Sequence, residues 1–140
     1  MVWRLGWAEM ADEEDIARLR RVFDAFDRDD VEDLLGDLAH DVQFRQPEAL
    51  PWGGTRHGHD GMRSMLETLR EHVDGGWGDP DDILDAGDRL VVLGRLRGTA
   101  RATGADFETP FAQVWRFEDG VPVACDVYLD TAAVLKALSG

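Results

Sequence analysis

Apolar residues recur at two different periods along this chain, and the change of period divides it. From Asp12 to about Asp27, Ile16, Leu19, Val22 (or Phe23) and Phe26 follow at three- and four-residue spacing, the signature of one buried helical face. Asp12, Glu13 and Glu14 suit the positive N-terminal end of that helix. A second, short helix is predicted over Val31–Leu38 from Val31, Leu34, Leu35 and Leu38. A third begins at Asp60, carries Met62, Met65, Leu66, Leu69 and Val73, and is ended by Gly75 and Gly76. Between them, Asp41–Gln46 alternates as a strand with Val42, Phe44 and Gln46 on one face. Pro47 stops it, since proline cannot donate into a ladder. The prolines and glycines of PEALPWGGTRHGHDG predict a loop.

Beyond the third helix the period falls to two. Trp77–Asp85 is a predicted strand, closed by Ala86-Gly87-Asp88 as a tight turn. Three long strands follow, roughly Arg89–Ala102, Phe107–Glu118 and Val121–Leu129, with Asp119-Gly120 as a strong hairpin signal between the last two. A short helix, Thr131–Leu138, closes the chain. The order α-α-β-α-β-β-β-β implies an α+β fold with helices packed on one face of a curved, largely antiparallel sheet.

Alternation also assigns faces. In Phe107–Phe117 the odd positions Phe107, Phe111, Trp115 and Phe117 point inward, and Gln113 sits among them. In the last strand Val121, Val123, Cys125, Val127 and Leu129 form the inward set, leaving Asp126, Tyr128 and Asp130 outside. The strand from Arg89 is ambiguous. Val91 and Leu93 share a face with Arg95 and Arg97, while Leu90, Val92 and Leu96 share the other. A buried polar group costs a few kcal/mol unless it is hydrogen-bonded, so Gln46, Gln113 and Arg95, if inward, need partners in the protein, water or a ligand.

Composition bounds the function. The 140 residues make one domain, taken as 12–140, with 1–11 an N-terminal extension containing Trp3 and Trp7. A net charge of −14 repels phosphate backbones and anionic lipids, so nucleic acid and membrane partners are not expected. The single cysteine, Cys125, excludes an intrachain disulfide, and the opening MVWRLGWAEMADEED lacks the pattern of a signal peptide; cytoplasm is the expected location. His57 and His59 flank Gly58 without an obvious third ligand. The acidic runs at Asp27–Asp30 and Asp79–Asp82 fail as calcium loops; in the first, Glu32 stands where glycine is required. No phosphate loop, Cys-x-x-Cys or nucleophile elbow is present, and neither cofactor nor metal is expected.

The pieces FDAFDRDDVEDLLGDLAHDVQFRQP, GGTRHGHDG, ILDAGDRLVVLGRLRGTARATGADFETPFAQVWRFEDG and YLDTAAVLKAL, in that order, resemble the SnoaL-like proteins of the nuclear transport factor 2-like superfamily. That group includes polyketide cyclases, ketosteroid isomerases and limonene epoxide hydrolase. The resemblance implies a cone-shaped, cystatin-like α+β barrel, a deep pocket between sheet and helices, and commonly a homodimer through the outer sheet face. It also implies where catalytic groups would stand. The isomerase base falls at Gln46, its oxyanion-donating acid at Gln113 and its tyrosine near Val22. The epoxide hydrolase arginine falls at Arg95, with Arg97 and Val127 near the carboxylate positions, and the cyclase aspartate also falls near Val127. No known catalytic set is intact.

The expected ligand-contact set is Gln46, Trp52, Arg95, Phe111, Gln113, Trp115 and Val127, and the catalytic candidates are Gln113, Arg95 and His57. Three readings follow. The first is binding of a small, largely apolar ligand with a carbonyl or carboxylate group. The second is an isomerase, cyclase or hydrolase acting on a ketone-like substrate, with Gln113 and Arg95 stabilising an oxyanion. The third is a dimeric interaction module without a ligand. The lack of an inward carboxylate favours binding.

Overall fold

A computed structural model describes residues Glu13–Ser139, apart from the side chain of Trp77; Trp3 and Trp7 lie outside the described residues. The elements are α1 (Glu13–Asp27), α2 (Val31–Gly36), β1 (Gln43–Gln46), β2 (Gly54–His57), α3 (Gly58–His72), β3 (Val73–Asp85), β4 (Leu90–Ala100), β5 (Asp106–Glu118), β6 (Val121–Leu129) and α4 (Thr131–Ser139). Among the described residues no helix is long and apolar enough to cross a membrane.

Local chemistry accounts for most boundaries. Glu13, Glu14 and Asp15 occupy the first turn of α1, and Leu19, Val22, Phe23 and Phe26 form its buried stripe. The Asp30 side chain caps α2 by accepting from the Asp33 backbone N–H at 3.1 Å. Arg28 ties this junction together by donating to Asp24, Asp30 and Asp33. The helix α3 stops at His72 rather than at the glycines, because Val73 is already extended and pairs with Ala100. Asp119 and Gly120 both hold positive φ, 52° and 76°, as the two-residue turn between β5 and β6 requires.

The six strands lie in one sheet, in the order β2-β1-β6-β5-β4-β3. All neighbours are antiparallel except β1 and β6, which pair in parallel with Phe44 opposite Cys125. Two register shifts bend β3, between Gly75 and Gly78 and between Pro80 and Asp82. Pro80 is tolerated because β3 is an edge strand. The concave face carries Leu90, Val92, Leu96, Phe107, Phe111, Trp115, Cys125 and Val127 onto the buried faces of α1 and α3. Phe23 of α1 stacks against Phe111, and Phe44 of β1 meets Trp115 edge-on.

Two further expectations are corrected and one ambiguity is removed. The Pro47–Gly61 segment is not all loop, since Gly54–His57 forms β2 against β1. The inward set of β6 breaks at its start: the register jumps from Ala124 to Pro122, so Pro122 is buried while Val121 and Val123 are partly exposed. The ambiguity of β4 is resolved with Leu90, Val92, Gly94 and Leu96 inward, and Arg95 and Arg97 outward.

Candidate functional site

Among the described residues the buried polar side chains are Gln46, Thr109 and Gln113. Thr109 is satisfied within the fold, donating to Pro110 O and accepting from Asp130 N–H. The glutamines differ: the Gln113 oxygen accepts a bond, and the Gln46 oxygen has no partner among the described residues. Gln46 ends β1 and points inward because it lies two residues beyond Phe44; it is 5% exposed. Gln113 lies mid-strand in β5, between Val92 and Val127 in register, and is 4% exposed.

Both line one small interior cavity with Trp52, Gly76, Gly78, Leu96, Phe111, Val127 and Leu129. Its free space is about 20 Å³, near the minimum a single water needs. A larger molecule enters only if a wall moves. The partition is the segment Gly75–Gly78, since Gly76 also lines an outer hollow of about 400 Å³ with Phe26, Asp27, Asp29, Arg70, Asp79 and Arg97. The inner wall is shaped by glycine. A Cβ at Gly78 would collide with the Phe111 ring, and one at Gly94 would collide with the Asp79 carbonyl and that same ring.

Hydrogen bonding orients each amide. The Trp115 indole N–H donates to Gln113 Oε1 at 2.9 Å. An indole can only donate, so the atom it meets is the Gln113 oxygen, which keeps a second lone pair, and the NH₂ group is turned the other way. Gln46 Nε2 donates to Met65 Sδ at 3.8 Å, a weak acceptor, and Gln46 Oε1 is buried with no hydrogen-bond partner among the described residues. The cavity therefore holds two amides in an apolar frame, one of them with an unpartnered acceptor that has almost no accessible surface. None of its described lining residues is ionisable.

Of the expected contact set, Gln46, Trp52, Phe111, Gln113 and Val127 come together here. Trp115 is fully buried behind Gln113 and holds it rather than lining the space. Arg95 is elsewhere. Its side chain is 51% exposed on the outer face, 3.3 Å from Glu108, because strand alternation turns Gly94 and Leu96 inward on either side of it. The cation that made a carboxylate ligand or an Arg95-assisted oxyanion plausible is thus absent from the cavity. His57 is exposed at the start of α3 and makes no capping bond. His59 meets Leu38 O at 3.1 Å and stacks on His40.

Leu96, Leu129 and the two glycines were not foreseen as lining residues. A usable signal was present, because glycine in a strand interior marks a close approach, here of the Phe111 ring. Near the outer hollow, burial and then the neighbouring charges of Asp79 and Asp24 raise the pKa of Asp27. Burial also pushes the Cys125 thiol well above its usual range, with the charge of Asp126 adding to it.

A model of the SnoaL-like domain matches residues 19–123. The chain belongs to the SnoaL-like family. An NTF2-like protein of unknown function from Burkholderia pseudomallei K96243 is 32% identical, covering 91% of this chain and 99% of its own, with a TM-score of 0.85. An NTF2-like protein from Burkholderia thailandensis E264 is 31% identical, over 88% and 95% of the two chains, with a TM-score of 0.81. TerC, co-crystallised with polyporic acid, is 25% identical over 91% and 100% of the chains, again at 0.85. No sequence among the curated proteins matches. The SnoaL-like chain thus has the cone-shaped NTF2-like fold, with its interior cavity on the concave side of the sheet.

Proposed function

We propose that this SnoaL-like protein binds a small, largely apolar molecule bearing a carbonyl in the interior cavity. One observation carries the reading: two buried glutamines line an apolar, aromatic-walled space without an ionisable group among its described residues. Sites that hold small molecules combine such walls with a few placed polar groups. The co-crystallisation of TerC with polyporic acid supports a ligand for a relative of this shape. Gln113 can donate to a developing oxyanion, but Arg95 lies outside, and the described lining residues include neither His57 nor a carboxylate.

The test is a thermal-shift screen of small aromatic and alicyclic ketones, repeated on Val127→Phe, which fills the cavity from β6. Stabilisation of the wild type that disappears in the variant supports the reading; stabilisation that survives in Val127→Phe places the ligand elsewhere and refutes it. Turnover of an enolisable ketone, reduced about 10²-fold by Gln113→Leu, would replace binding by catalysis.

A second copy of the chain is the proposed partner. On the outer sheet face Leu84, Val91 and Val114 follow one another across three strands, and Leu93, Ala112 and Tyr128 form the adjacent row. Leu84, Leu93 and Tyr128 are exposed there, flanked by the Arg45–Asp126 and Arg95–Glu108 ion pairs. An apolar centre with paired charges at its rim suits a two-fold, self-complementary contact. Leu93→Asp should shift a dimer to monomer in analytical ultracentrifugation, and a wild type that is monomeric at micromolar concentration would refute the assembly. A cytoplasmic setting fits the single cysteine, which is buried.

A further inference from the structure

Resting on the binding reading, we infer that the Gly75–Gly78 bulge of β3 is a gate, the wall that moves to pass a ligand from the outer hollow into the interior cavity while the rest of the sheet stays paired. About 20 Å³ of free space holds no more than a water, so entry requires such a wall. The lining strands β1, β4, β5 and β6 each pair with a neighbour on both sides, whereas β3 is an edge strand, held on one side alone. Within it the ladder is locally broken. From Gly75 to Gly78 the chain advances three residues while β4 advances two, from Gly98 to Leu96, so one residue is extra and the bulge lacks its share of ladder bonds.

Glycine makes this segment movable, and ion pairs bound it. Gly75 and Gly76 hold φ of 80° and 85°, and glycine leaves such a conformation for others at little steric cost. On either side β3 is clasped to β4: Asp74 meets Arg101 at 2.6 Å, and Asp79 meets Arg97 at 3.1 Å. The facing rim of the hollow is pinned, since Arg70 lies 2.6 Å from Asp29 with its guanidinium carbon 4.5 Å from the centroid of the Phe26 ring. Between these fixed points Gly76 lines both the cavity and the hollow of about 400 Å³. Displacing the bulge joins the two spaces. Undocking β1 instead would uncover Cys125 as well, because Phe44 stands opposite it.

Cysteine labelling reads the opening without any ligand. Val127→Cys puts a thiol on the cavity wall, and Cys125, which is buried and is not among the described lining residues, serves as the internal reference. Both are labelled at pH 8 with methyl methanethiosulfonate and told apart by tandem mass spectrometry. The introduced thiol should react about tenfold or more faster than Cys125. Gly76→Ala, which strains the closed bulge, should raise that ratio about tenfold. Gly87→Ala, similarly strained at φ 89° but in the turn between β3 and β4, should leave it within about twofold. If Gly76→Ala does not fold, the exposed substitution Asp79→Ser removes one clasp and should raise the ratio about twofold or more. Equal effects of Gly76→Ala and Gly87→Ala, or an unchanged ratio in Asp79→Ser, would overturn the gate. Equal labelling of the two thiols would also overturn it, by making β1 or the whole fold the part that opens. The binding reading stands or falls separately, on the ketone screen, which uses no thiol label.

Discussion

Replacing Gln46 by methionine tests the physical state of the cavity without any ligand. Gln46 is 5% exposed, its Oε1 is buried without a partner among the described residues, and the hydrogen bond its side chain makes among them is the long N–H···S contact to Met65. An unsatisfied buried acceptor costs about 1–3 kcal/mol, whereas an apolar side chain of similar volume removes that cost. The lost N–H···S contact is weak and offsets little. A single water in the roughly 20 Å³ beside it would reduce the penalty without abolishing it, because ordering a water costs up to about 2 kcal/mol. The expected net stabilisation is therefore about 1–2 kcal/mol. An unfolding entropy of about 2.1 cal/mol/K per residue gives about 0.3 kcal/mol/K for this chain, so Tm should rise by about 3–7 °C. Differential scanning calorimetry and urea unfolding at pH 7 would measure it. A loss of 1 kcal/mol or more would refute the reasoning, because it would mean that the amide is satisfied in the fold and that no acceptor is held in reserve.

Other perturbations separate the parts of the site. Gly78→Ala should cost about 1–3 kcal/mol in urea unfolding through collision with the Phe111 ring, and Phe111→Leu should recover much of that loss. Gly94→Ala should not be rescued in the same way, because its Cβ also meets the Asp79 backbone carbonyl; equal rescue of both would show that the strand spacing is misread. Arg95→Ala should alter stability by no more than about 0.5 kcal/mol and leave ligand affinity unchanged, and a tenfold loss of affinity would return Arg95 to the site. Asp27 has a folded pKa raised by burial and by Asp79 and Asp24, so its ionisation opposes folding as pH rises through the carboxylate range. Asp27→Asn should therefore be stabilising at pH 7 but not at pH 3, where the carboxyl is protonated in both states; a pH-independent difference between the urea midpoints would contradict this.

Much of this was legible in the sequence where one face is buried and the other wet. The odd positions of β5 from Phe107 to Trp115 face the core as alternation requires, and with them Gln113. Gln46 could be placed because Pro47 fixes where β1 ends. Strand β4 resisted because both of its faces are apolar. Val91 and Leu93 belong to the outer patch, while Leu90 and Val92 belong to the core. Period alone cannot rank two apolar faces, and Arg95 was consequently admitted to the site. Gly94 held the answer, since only an inward glycine leaves room for the Phe111 ring. Strand β2 was invisible for another reason: Gly-Thr-Arg-His has no apolar alternation and becomes a strand only through pairing with β1. The orientation of each amide depends on Trp115 and Met65, and for Gln46 that partner lies on α3, which no local pattern brings to it.

The parallel pairing of β1 with β6 has a consequence for the order in which the protein folds. Strands β4, β5 and β6 can zip up through neighbouring hairpins, but β1 must return across the chain; Arg45 and Asp126, which meet there, are 81 positions apart. Closing a loop of that length costs roughly 4 kcal/mol in chain entropy, and four residues of β1 supply few ladder bonds to offset it. Docking of β1 should thus be a late event that depends on Phe44 reaching Trp115. Gln46 rides on that strand, so Gln113 waits as a lone amide on an open sheet until the last wall arrives. In native-state hydrogen exchange, β1 and β2 should open at lower free energy than the β4–β5–β6 meander, making the wall that carries the unpaired acceptor also the first to yield.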